Sequence, residues 1–241
     1  MDARVSSDAI LLLLPDPVTP FSSASYSQTQ TFHLEDPASS AAVILDWFTS
    51  GRMARGEEWD FERYRSTNEV WIQGRRVLRD VMLLESPQDS GSTANSFSQP
   101  RSVRERLAPY ACYATLFIII PSDPTTTGTT NPTDSSAISF PVRTYKALAE
   151  IVSRLSETYD AIRQMQASSP EDLVWSLSPL NMRAPSLYTD LDRSELRGGF
   201  SSGVIIRVAG LTTELVRNWL RGSLRPLDGL IGRDAYKNAF V

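Results

Sequence analysis

The chain has almost none of the residues from which catalytic and metal centres are most often built. In 241 residues it carries one histidine, His33, and one cysteine, Cys112. A lone cysteine cannot close an intramolecular disulfide, which removes the main argument for a secreted, cross-linked scaffold and leaves a reducing, cytoplasmic setting as the expectation. There is no Cys-x-x-Cys and no His-x-x-x-His spacing. A tight nickel or zinc site is therefore not expected, and any metal this chain meets is held loosely by carboxylates, hydroxyls and water. The same scarcity argues against Ser-His or Cys-His nucleophilic catalysis. His33 reads as a solvated strand histidine and Cys112, between Ala111 and Tyr113, as a small buried hydrophobe.

Long apolar runs are missing too. Residues 9–14 are apolar, but the run is too short for a signal-peptide core or a membrane span, has no strong basic region before it, and is closed by Pro15. No Gly-x-x-x-x-Gly-Lys-Ser/Thr loop is present, and Gly198-Gly199 is an isolated turn signal, so any nucleotide energy must come from another subunit. A formal charge of −4 and a pI near 5.2 leave no footprint for a nucleic-acid backbone. On net charge alone, basic partners are expected more than acidic ones. No repeat period is visible.

What is present suits a β architecture. With 41% apolar residues and five tryptophans the chain can bury a sizeable core as a single domain, and fifteen prolines and twelve glycines fit a loop-rich β protein. Residues 9–14 read as a strand buried on both faces. Residues 26–34 alternate strictly: Tyr26, Gln28, Gln30, Phe32 and Leu34 share one face, and Ser27, Thr29, Thr31 and His33 the other. Glutamines beside Phe32 imply an interior polar lining or an interface, because a buried unpaired amide costs about 1–3 kcal/mol. Residues 43–84 read as successive strands joined by tight turns, with Trp59 and Phe61 on one of them and Glu58, Asp60 and Glu62 on its solvated face. Residues 86–102, 121–139 and 181–202 read as flexible insertions. Apolar positions from Val142 to Met165 recur at threes and fours, which predicts an amphipathic helix. Strands at 173–177 and 203–209 follow, and then a second helix capped by Thr212 or Thr213 and ended or kinked by Pro226.

Carboxylates carry the remaining functional signal. Asp46 ends an apolar run and must be paired or hydrated, and Glu57 lies close in sequence to Arg52 and Arg55. Two readings stand: structural ion pairs with those arginines, or acidic groups lining a polar passage through the β core.

Ser50-Gly51-Arg52, Ala54-Arg55-Gly56-Glu57, Trp59 and Asn68-Glu69-Val70, with Leu83 to Glu85, resemble the central signature of the urease accessory protein D family, also called the H family. Upstream, Leu14-Pro15-Asp16-Pro17-Val18 with Phe21, Tyr26, Gln28 and Gln30 resembles its preceding block. Downstream, Arg106-Leu107, Tyr110, Tyr113, Trp175-Ser176-Leu177 and Arg207-Val208-Ala209-Gly210 resemble its C-terminal half. The family's first block, with a Gly-Asp motif and a Thr-Thr-rich segment leading to a lysine, has no counterpart here, so residues 1–241 are expected to be one N-terminally truncated domain of that type.

The resemblance implies a mainly β scaffold of coiled or layered sheets, with two helices in its C-terminal half and no catalysis of its own. It implies a chaperone-like role in nickel insertion and nitrogen metabolism: binding accessory protein F, which recruits the GTPase accessory protein G, and docking on apo-urease. No cofactor is bound tightly and nickel is in transit, with Asp46 and Glu57 as conduit residues and Arg52 and Arg55 as their partners or co-lining groups. Rival readings are a hydrolase using Asp46 and Glu57 as a carboxylate pair, and a remnant of the accessory family that has lost its activity.

Overall fold

The computed structural model describes residues 1–86, 101–123, 140–164, 171–181 and 202–240. Most of the three expected insertions lies outside these residues.

Among the described residues nine strands form two stacked sheets. In chain order they are β1 (Asp2–Val5), β2 (Ile10–Leu13), β3 (Ser25–Leu34), β4 (Ala41–Thr49), β5 (Arg63–Ile72), β6 (Arg75–Glu85), β7 (Cys112–Ile120), β8 (Leu173–Asn181) and β9 (Ser202–Gly210). One sheet has the order β1-β3-β5-β6 and the other β2-β4-β7-β9-β8. The first five strands alternate between the layers, and neighbours within a layer are parallel: β1 with β3, β3 with β5, β2 with β4. The chain thus coils through both sheets before closing them with antiparallel strands.

This winding corrects the expectation of successive strands joined by tight turns. β4 and β5 sit in different layers, and only β5–β6 is a tight hairpin. Its turn residues Gln73 and Gly74 both have positive φ, 49° and 75°, the twist that two-residue hairpins require. Trp59 and Phe61 lie on no strand: Trp59 has φ 58° in the loop after the 3₁₀ turn Met53–Arg55, and both rings are buried. Glu58, Asp60 and Glu62 therefore share no strand face. Nor is β2 buried on both faces. It is an edge strand with four partly exposed residues.

β4 and β7 are buried along nearly their whole length because each is covered on both sides. Ala42, Ile44, Phe117 and Ile119 face the first sheet, whereas Val43, Leu45, Leu116 and Ile118 face the helices. A strand covered twice loses its alternation and reads as a continuous apolar run. The covering helices are α2 (Phe140–Gln164) and α3 (Thr213–Ser223); α1 (Val103–Leu107), α4 (Asp228–Ile231) and α5 (Arg233–Asn238) are short. α2 buries Thr144, Leu148, Ile151 and Leu155 at helical spacing. In α3 the Thr212 hydroxyl accepts from Leu215 N–H at 3.2 Å, as an N-cap does, and Val216 and Leu220 face inward. No described helix is long and apolar enough to cross a membrane.

Candidate functional site

Between the sheets the packing is not uniformly apolar. At one end Phe32, Leu34, Val70, Ile44 and Phe117 form one cluster. At the other, Phe48, Trp59, Phe61 and Tyr64 form an aromatic cluster, with Phe48 and Tyr64 stacked at 4.4 Å between centroids. A polar layer separates them. Register places Gln28 beside Ser66, and Gln30 beside Asn68, which neighbours Asp80, in the first sheet. In the second sheet Asp46 pairs with Thr115, which pairs with Arg207.

Asp46 is the centre of this layer. One carboxylate oxygen accepts from Gln28 Nε2 at 2.9 Å; the other accepts from Ser66 Oγ at 2.5 Å and from Asn68 Nδ2 at 2.6 Å. The Gln28 amide also donates to Ser66 at 2.8 Å, and Tyr26 donates to Gln28 Oε1 at 2.9 Å. The coil explains the convergence: Gln28, Asp46 and Ser66 are spaced 18 and 20 residues apart, on three consecutive strands that alternate between the layers. Burial pushes the Asp46 carboxyl above its ordinary value and nearby Asp80 adds to this, while hydrogen bonds from Ser66, Asn68 and Gln28 pull it down. The neighbouring hydroxyls respond: burial and then the Asp46 charge raise both Tyr26 and Tyr64. Asn68 Oδ1 is buried with no partner among the described residues, leaving an acceptor free inside the layer. At its far side Arg207 donates to Asp80 at 2.5 Å.

Glu57 lies elsewhere. Its carboxylate takes Arg52 Nε at 2.7 Å and Arg52 Nη2 at 2.6 Å, and accepts from the Ser22 amide at 3.0 Å. Those bonds, the Arg52 guanidinium first, hold its pKa below the usual carboxylate value. Gly51 makes the close turn possible: at φ +138°, a Cβ there would meet the Glu57 carbonyl oxygen at 2.5 Å. Arg52 also lies over the exposed Phe21 ring at 5.2 Å. Arg55 is exposed, in the same turn.

Of the two structural pairings foreseen, Arg52–Glu57 is formed, while Asp46 is satisfied by neutral donors and has no arginine. Asp46 and Glu57 share no hydrogen-bond partner, so the geometry does not support a carboxylate pair. His33 is on the outer face of β3, 3.6 Å from Asp2, and Cys112 is fully buried. Among the described residues no group of three or more His, Cys, Asp or Glu side chains could hold a metal ion. Ser66, Asn68, Asp80 and Arg207 were not foreseen as site residues. The signal for two of them is that Ser66 and Asn68 interrupt the inward face of a strand whose other inward residues are Tyr64, Val70 and Ile72.

Residues 1–240 match the sequence family described as UreD urease accessory protein. The chain is 32% identical over 226 residues to urease accessory protein 4 of Cryptococcus neoformans var. grubii, covering 92% of this chain and 55% of that protein. It is 29% identical over 237 residues to urease accessory protein D of Arabidopsis thaliana, covering 98% of this chain and 68% of that protein. Urease accessory protein UreD of Sorangium cellulosum is 29% identical over 236 residues, covering 98% of this chain and 55% of the relative. The chain therefore spans 55% to 68% of the lengths of these relatives.

Proposed function

The chain belongs to the UreD family of urease accessory proteins, and from that premise we propose that it is a non-catalytic scaffold that passes nickel toward apo-urease through the polar layer between its sheets. The observation that carries the reading is the Asp46 cluster. A half-buried carboxylate ringed by an amide, a hydroxyl and a second amide, with a free carbonyl acceptor on Asn68, offers oxygen ligands without imidazole or thiolate. Such a set holds a divalent ion weakly and releases it, as transit requires and storage does not. In this reading accessory protein F binds the scaffold and recruits the GTPase accessory protein G, and the assembly works in the cytoplasm. Asp46 lines the passage; Glu57, tied to Arg52, holds the loop that closes one end of the sandwich.

The test is restoration of urease activation in cells lacking the intact D protein. The wild-type chain is expected to restore it. Asp46→Asn, nearly isosteric, is expected to keep the fold and co-purification with protein F while activation falls. Full activation by a folded Asp46→Asn chain would reject the passage. On the purified chain, calorimetry is expected to find only weak nickel binding, and a stoichiometric nanomolar site would point to storage instead.

A further inference from the structure

The outer face of the first sheet is largely polar, as a sheet face turned to water usually is, but its edge strand β6 carries an exposed apolar patch. On β6, Val81 and Leu83 project outward and remain 44% and 45% exposed. Across the register, Val81 lies beside Thr67 and Leu83 beside Arg65. Further along the same face the Trp71 ring stacks near His33 at 6.0 Å and carries the Arg76 guanidinium at 5.7 Å. The helices that cover the molecule pack on the second sheet instead.

Charge on this face opposes that of the whole chain. Arg4, Arg63, Arg65, Arg76 and Arg79 lie on it by strand alternation, whereas the protein has a formal charge of −4. Its acidic groups are already engaged: Glu69 takes Arg76 at 3.0 Å and Arg79 at 3.2 Å, Glu85 takes Arg63 at 3.1 Å, and Asp2 lies by His33. Arg4 and Arg65 have no carboxylate partner among the described residues. The basic groups are all arginines, in a chain whose only lysines are Lys146 and Lys237. Arginine presents a planar fork matched to a carboxylate, and arginines and aromatics around an exposed apolar centre are the composition of protein interfaces. A second copy of the chain is disfavoured as the occupant, because this face against itself sets guanidinium against guanidinium.

We propose that this face docks a protein partner that presents carboxylates around an apolar centre, with Val81 and Leu83 as the apolar contact and Arg65 as a free carboxylate acceptor site. The proposal rests on the scaffold reading above and names the chemistry of one partner. It also reverses the expectation from net charge: the local field at the contact, not the total, selects the partner.

The test uses the tagged full chain co-expressed with urease subunits and accessory proteins F and G, with two variants. Arg65→Glu reverses the free charge. Leu83→Asp removes the apolar contact and places a carboxylate opposite Arg65, where a cross-strand pair quenches it. Both sites are on the outer face, so thermal midpoints near wild type are expected and are measured alongside. Retention of at least one of these named partners is expected to fall about tenfold or more in each variant. Wild-type retention of that partner is expected to weaken as salt rises from about 0.1 M toward 1 M, where the screening length shrinks from about 10 Å to about 3 Å. Folded variants that retain all partners as well as wild type would overturn this docking surface and leave the scaffold reading intact. A wild-type chain that retains none of them would overturn both.

Discussion

Asp80 on β6 and Arg207 on β9 meet at 2.5 Å across the gap between the two sheets. Asp80 is 15% exposed at its side chain and Arg207 45%, so the pair sits at the rim of the polar layer rather than inside it. Thr115 separates Arg207 from Asp46 in the strand register, and Asp80 is close enough to raise the Asp46 carboxyl. The guanidinium thus offsets one of two carboxylates that share a poorly solvated layer.

Removing that guanidinium is expected to cost more than the salt bridge alone. With the solvent screening that a half-exposed arginine receives, Arg207→Ala is expected to lower stability by about 1–2 kcal/mol, because Asp80 is left poorly solvated and unpaired. In the double variant Arg207→Ala/Asp80→Asn part of that loss is expected to return, since the orphaned charge is gone. Urea denaturation of the four proteins of the cycle measures both effects. A double variant as unstable as the sum of the two single variants would mean that the pair is not coupled.

Asp46 and Glu57 are expected to titrate the stability in opposite senses. For Asp46 the folded state holds the proton more tightly than the unfolded chain. Its contribution is therefore most favourable below the ordinary carboxylate value of about 4 and declines as pH rises through the folded-state value. For Glu57 the folded value is depressed. Its contribution is present above the ordinary value and is lost as pH falls through the folded one. Urea midpoints between about pH 3 and pH 7, compared with those of Asp46→Asn and Glu57→Gln, separate the two. Relative to wild type, Asp46→Asn is expected to gain as pH rises, and Glu57→Gln to fall behind. Parallel curves for either variant would show that its carboxylate titrates alike in both states.

Much of this arrangement was legible in the residues. Strict alternation from Tyr26 to Leu34 gave a strand with its glutamines on the Phe32 face, an interior lining or an interface, and the structure turns that face inward; the spacing from Val142 onward gave α2. Of the two threonines that could cap the second helix, Thr212 and Thr213, the structure uses Thr212. The coil was hidden, because alternation specifies which face of a strand is buried but not which sheet it joins. For the same reason Asp46 was visible as a charge in need of partners while Ser66 and Asn68 were not visible as those partners. Trp59 was misplaced because an aromatic two residues before another resembles strand alternation even in a loop, and only the backbone's positive φ distinguishes them.

Cys112 is expected to be inert in the native protein. It lies at 0% exposure on β7, and burial raises its thiol to about 12, outweighing a Thr213 hydrogen bond and the Arg217 charge, which pull the other way. At about pH 8 an ordinary thiol, with a pKa near 8.5, is partly thiolate. This one is almost wholly protonated. Labelling by a thiol reagent should therefore be slow in buffer and fast in denaturant, with the native rate reporting the opening of β7. Rapid native labelling would mean that the second sheet opens at the Cys112 end.

Gly51→Ala tests whether the loop between β4 and β5 is built around one close approach. Thr49 ends β4, and the chain must turn at once so that Ser50 accepts from Trp59 N–H at 2.7 Å and Arg52 reaches Glu57. Gly51 takes φ +138°, a conformation that side chains rarely adopt, and a methyl group there would lie 2.5 Å from the Glu57 carbonyl oxygen and 3.2 Å from that of Pro20. Neither neighbour is the free end of a flexible side chain. Both are backbone, and Glu57 is held in place by Arg52 and Ser22. The variant must therefore move the loop, which loosens Trp59 and Phe61 from the aromatic cluster as well as adding backbone strain. A cost of about 2–4 kcal/mol is expected, more than strain alone accounts for. Gly56→Ala in the same loop provides the comparison, because at φ +75° its methyl meets nothing within 4 Å. That variant is expected to lose only about 1 kcal/mol. Equal losses in urea denaturation would reduce the effect at Gly51 to backbone conformation and remove the close approach as its cause.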